Sequence, residues 1–150
     1  MQRDKHIEKA FPKISHNYKI TSPIDNKYNC IAFAAGDNSK YWWPAKFYWP
    51  DEITATEDLN SFIACFKLLG YAKCEMNSDF EPGYEKVAIY IDPDGKPTHA
   101  AKQFADGNGL WKSKLGSYKD IEHTLDGLSG WSSYGSYGHI AIILKRKVSD

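Results

Sequence analysis

The sequence predicts an α+β domain, in which a short helix packs on an antiparallel β-meander with additional helices around it. Three observations carry that expectation. An apolar run at Cys30–Ala35 lies between Asn29, a residue that caps helix starts, and Gly36, a residue that ends helices. Two strand-like runs, 86–91 and 98–104, flank Asp92-Pro93-Asp94-Gly95, where proline presets one dihedral and glycine accepts a positive one. A third run, His139-Ile140-Ala141-Ile142-Ile143-Leu144, is continuously apolar, as a buried strand requires.

The 150 residues fit one domain with a substantial core, and residues 1–27 read as an extended lead-in, polar and interrupted by Pro12 and Pro23. The helix that Cys30 opens carries Ala32, Ala34 and Ala35, small enough for close approach to a sheet. The segment 41–50 (YWWPAKFYWP) holds two prolines and cannot be a regular helix. Its rings suit either a cap on the core or the rim of a site beside Cys30.

From Thr54 the chain predicts its best helix, with Thr54 and Glu57 as a capping box. Leu59, Phe62, Ile63, Phe66 and Leu69 form its apolar stripe, and Gly70 its end. Cys65 lies inside it as packing. Residues 71–73 suggest a short strand with Cys74 behind it. After the strands 86–91 and 98–104, the turn Asp106-Gly107-Asn108-Gly109 leads into a strand at 110–114. Residues 118–125 read as a short helix with an exposed acidic face that includes His123. The stretch 127–138 reads as a loop rich in Gly, Ser and Tyr, and 145–147 as solvated charge.

Nineteen basic and nineteen acidic residues cancel, and no basic run points to nucleic acid. Three cysteines at unrelated spacings match neither a disulfide framework nor a zinc ribbon, so neither a metal nor another cofactor is expected. No signal-like or membrane-spanning run is present, which makes the cytoplasm the expected compartment and a membrane no expected partner.

A cysteine at a helix start meets unpaired N–H groups and the positive end of the helix dipole, which favour a thiolate. Such a nucleophile needs a base. Of five histidines, His6 and His16 have no local context and His123 reads as surface charge. His99 and His139 each open a strand. His99 is preferred, because Pro97 precedes it closely and the short Ala100 and Ala101 leave room for the helix that carries Cys30.

The order of a helix-borne cysteine followed by a meander whose second strand opens with histidine resembles the papain-like cysteine peptidases of the compact bacterial NlpC and CHAP type. The blocks Tyr28-Asn29-Cys30-Ile31-Ala32, Trp42-Trp43-Pro44, Pro97-Thr98-His99-Ala100-Ala101-Lys102-Gln103, Trp111-Lys112-Ser113-Lys114-Leu115-Gly116 and Asp120-Ile121-Glu122-His123 are more closely similar to an uncharacterised family of small bacterial proteins. The NlpC resemblance implies a papain-like fold, and a third polar residue on the strand after the histidine strand. Ser113 is the first choice for that residue, with Gln103 and Asp120 as alternatives.

The expected chemistry is acyl transfer. Cys30 attacks an amide or related carbonyl, His99 carries the proton, and Ser113 orients His99. The Cys30 N–H, and Tyr28, would serve the oxyanion. Tyr28, Trp42 and Trp43 would bind substrate, a peptide, amide or cell-wall crosslink. The competing expectation is a non-catalytic binding module on the same scaffold, with 41–50 as its surface for a partner protein.

Overall fold

A computed structural model describes residues 3–15, 17–130 and 137–148. His16 and residues 131–136 of the Gly, Ser and Tyr stretch lie outside the described residues. The elements follow in the order α1 (Lys5–Ala10), β1 (Tyr18–Ser22), α2 (Cys30–Ala35), α3 (Leu59–Leu68), β2 (Ala72–Lys73), β3 (Tyr84–Ile91), β4 (Pro97–Gln103), β5 (Trp111–Lys114), β6 (Asp120–His123) and β7 (His139–Lys147). The strands form one seven-stranded sheet in the order β1-β6-β5-β4-β3-β7-β2, with every pairing antiparallel.

β3 lies inside the sheet and is buried on both faces, so its side chains alternate between two cores. Val87 and Ile89 join Ala100, Leu144 and the helices α2 and α3, together with Trp42 and Trp49. Ala88 and Tyr90 join Ala101, Trp111, Ile121 and Ile143 beneath Ile7, Phe11 and Ile14. The turn from β3 to β4 forms as expected. Gly95 takes φ +83°, and the Asp92 carboxylate accepts the N–H groups of Asp94 and Lys96.

Four expectations need correction. The lead-in is not merely extended: Asp4 caps α1 by accepting from the N–H groups of His6 and Ile7, and β1 forms an edge of the sheet. α3 starts at Leu59 under Asp58, whose carboxylate accepts the Ser61 N–H. Thr54 and Glu57 are used elsewhere, the Thr54 carbonyl by the Ser61 hydroxyl and the Glu57 carboxylate by the Trp43 indole.

Residues 120–123 are strand rather than helix, because β1 supplies a partner on one side (Tyr18↔His123, Ile20↔Ile121) and β5 on the other. Four residues are too few for a helical period to outweigh two ladders of hydrogen bonds. β7 is buried only in part, and His139 is exposed. Among the described residues no helix is long and apolar enough to cross a membrane.

Candidate active site

α2 begins where Asn29 makes three hydrogen bonds. Its Oδ1 accepts the N–H of Ala32 at 3.1 Å, the cap expected of this residue type, and also the N–H of Trp42 at 3.1 Å. Its Nδ2 donates to the Trp42 carbonyl at 2.9 Å. One amide thus fixes the start of the helix and ties the aromatic segment to it. At the other end, Gly36 at φ +90° donates to the carbonyls of Ala32 and Phe33, and the Asp37 N–H closes on Ala32.

That frame holds Cys30 against β4 and leaves it 6% exposed. Burial pushes its thiol up to about 11, against the backbone N–H groups of Ala100, Ile31 and Cys30 itself and the charge of Lys114, which favour the anion. The expected standing thiolate is therefore corrected: desolvation outweighs the donors at the helix start. Cys65, packed inside α3, is pushed to about 12 by burial. The partly exposed Cys74 follows β2.

His99 lies on β4, fully buried, with Tyr90 opposite it on β3. Its imidazole stacks on the Tyr137 ring at 4.0 Å between centroids and 5° between planes, and meets Tyr90 edge-on at 5.5 Å. His99 Nε2 lies 2.8 Å from Ser113 Oγ, and the same oxygen lies 2.7 Å from Nε2 of His123. His123 Nδ1 is 2.7 Å from the Thr124 carbonyl. His99 Nδ1 is buried and, among the described residues, has no hydrogen-bond partner. Burial holds His99 well below the ordinary histidine value, helped by the neighbouring His123, and lowers His123 to about 4. His123 is therefore no surface charge; it is fully buried.

The two parts lie on opposite faces of β4: Cys30 packs with Ala100, His99 shares the face of Ala101, and among the described residues no hydrogen bond joins the Cys30 sulfur to the His99 ring. β4 and β5 pair in register only at Lys102↔Lys112, and α2 packs over both of them. Before Lys102 the Ala100 N–H faces the Cys30 sulfur, while the adjacent His99 reaches across to Ser113 on β5. Cys30 belongs to one core and the rings around His99 to the other. His139 sits on β7, beyond β3.

The other candidates are occupied. Gln103 donates to the carbonyls of Ser78 and Gly109. Asp120 accepts from the Tyr28 hydroxyl at 2.9 Å, and that bond takes Tyr28 away from the oxyanion role expected of it. Burial raises Asp120, with Tyr28 and Lys114 opposing. Lys114 spends its ammonium on the carbonyls of Asp25, Gly116 and Tyr118, with burial lowering its pKa. Trp42 is buried with its indole on Asp37, and the Trp43 ring packs edge-on against Phe62. These rings build core rather than an open groove. Among the described residues no group of three His, Cys, Asp or Glu side chains could hold a metal ion.

Residues 19–145 match the family model of a domain of unknown function, DUF7689. No curated protein and no solved structure matches the chain.

Proposed function

We propose that this chain, which belongs to the DUF7689 family, performs cysteine-dependent acyl transfer on an amide or related carbonyl, on a scaffold of papain-like, NlpC-like character. The observation that carries the reading is the Nδ1 of His99, a buried nitrogen without a partner among the described residues, on the same strand as Ala100, whose N–H faces the Cys30 sulfur. A buried polar atom left unpaired costs roughly 1–3 kcal/mol, and a role in chemistry is one reason for a fold to bear that cost.

Burial raises the thiol and lowers the imidazole, so both are neutral at rest. The proton moves from Sγ to His99 Nδ1 as the sulfur–carbon bond forms. His99 then delivers that proton to the leaving amine as the carbon–nitrogen bond breaks. Water, or a second amine, resolves the thioester, giving hydrolysis in one case and transfer in the other. The N–H of Cys30, beside the sulfur, supports the oxyanion. A peptide, amide or cell-wall crosslink fits this chemistry.

A second reading, a non-catalytic module binding a partner protein, draws on the exposed Phe47 and Tyr48 of the aromatic segment and on the raised thiol. Alkylation of the folded protein by iodoacetamide at neutral pH, resolved by peptide mass spectrometry, separates the two. Cys30 reacting faster than Cys65 and Cys74 supports acyl transfer. Cys30 reacting no faster than either makes it a packing residue and leaves the binding module.

A further inference from the structure

The geometry points to His123 as a positioning residue that sets the tautomer of His99 through the Ser113 hydroxyl; the inference rests on the acyl-transfer reading for its consequence, not for its geometry. A carbonyl oxygen can only accept, so at 2.7 Å from Thr124 the proton of His123 must be on Nδ1. His123 is neutral near pH 7, since burial lowers it to about 4, so its Nε2 carries a lone pair.

That lone pair, 2.7 Å from Ser113 Oγ, accepts the serine proton. Serine has one proton to give. Its oxygen, 2.8 Å from His99 Nε2, must therefore accept there, and the His99 proton is on Nε2. Neutral imidazole carries a single N–H, which leaves Nδ1 bare. Nδ1 is the ring atom without a partner among the described residues. Four groups in series, each with one choice removed by the last, thus keep the free lone pair of His99 on the nitrogen that the reaction needs. Stacked on Tyr137 and faced edge-on by Tyr90, the ring is also held in orientation.

Ser113 alone does not fix the direction. Without an acceptor at His123 its hydroxyl is free to donate to His99 Nε2, which sends the His99 proton to Nδ1 and abolishes the base.

The test is nitrogen NMR of the full chain labelled with 15N-histidine, where long-range couplings distinguish a protonated ring nitrogen from a bare one. Expected in the unmodified protein are Nε2–H for His99 and Nδ1–H for His123; a proton on Nδ1 of His99 overturns the proposal without any variant. In His123→Phe the His99 proton moves to Nδ1 and Cys30 alkylation slows about a hundredfold. In His123→Gln the amide oxygen, near the former Nε2, restores both.

Ser113→Ala serves if His123→Phe does not fold, and the expected result is a mixture of His99 tautomers. A His99 proton that stays on Nε2 in His123→Phe, or a single unchanged tautomer in Ser113→Ala, refutes the relay. Tautomers that shift as described while Cys30 alkylation stays constant uphold the relay and sink the acyl-transfer reading instead, so the two failures are told apart.

Discussion

Replacing Asn29 by Ala tests whether one side chain really joins the helix start to the aromatic segment. The change removes the cap on the Ala32 N–H, about 1 kcal/mol for an exposed helix. It also strips the N–H and the carbonyl of the buried Trp42 of their partner, and each such group left unsatisfied costs roughly 1–3 kcal/mol. Water entering the space vacated by the amide recovers part of this, so the net loss is about 3 kcal/mol. For a chain of this length that lowers Tm by roughly 6–12 °C.

Urea unfolding followed by tryptophan fluorescence measures the loss, and calorimetry the Tm. Asn29→Asp keeps the cap yet sets a carboxylate oxygen against the Trp42 carbonyl, so it too falls below the unmodified protein. A loss under about 1 kcal/mol for Asn29→Ala, or full stability for Asn29→Asp, would refute the clamp.

Two further outcomes follow from burial and backbone geometry. His123 has a folded pKa of about 4, below its unfolded value of 6.5, so the unfolded state binds the proton first. Its contribution is whole above pH 6.5 and is lost as the pH falls toward 4, by roughly 3 kcal/mol. Urea titrations across that window show a steeper slope for the unmodified protein than for His123→Gln, and equal slopes contradict the assignment. Asp4, held down at about 2 by Lys119, Tyr118 and two backbone N–H groups despite burial, loses its share only below pH 3.8 and does not blur the window.

Gly138→Ala would set a Cβ 1.9 Å from the Ile91 carbonyl oxygen at φ +89°, whereas Gly95→Ala at φ +83° meets nothing. The first is expected to cost more than about 3 kcal/mol and the second about 1–2 kcal/mol in the same unfolding assay; comparable losses refute the close approach.

Local signals in the chain were sufficient for the helix that Cys30 opens and for the β3–β4 hairpin. Asn29, Gly36 and Asp92-Pro93-Asp94-Gly95 each act within a few residues of themselves. They were insufficient for β6, which is held as a strand between β5 and β1, the latter about a hundred residues earlier. Once 120–123 is misread as a helix, His123 looks exposed. Read with a period of two, Ile121 and His123 share a face with Trp111 and Ser113, and the second histidine of the site comes into view.

Cys30 failed differently. The donors at the helix start are legible in the sequence, whereas the desolvation that outweighs them depends on the packing of α2 over β4 and β5. Trp42 is drawn inward by bonds to Asp37 and Asn29, whose reach no pattern encodes, while Trp43 is half-buried with its indole on the exposed Glu57.

The proposed pairing of Cys30 with His99 is tested most directly by exposing the folded chain to p-nitrophenyl acetate at neutral pH and locating the acetyl group by peptide mass spectrometry. The account predicts acetylation on the Cys30 sulfur, slowed about a hundredfold in a folded His99→Gln variant and absent in Cys30→Ser. Acetyl groups only on lysines or Cys74, or a Cys30 rate indifferent to His99, would contradict it.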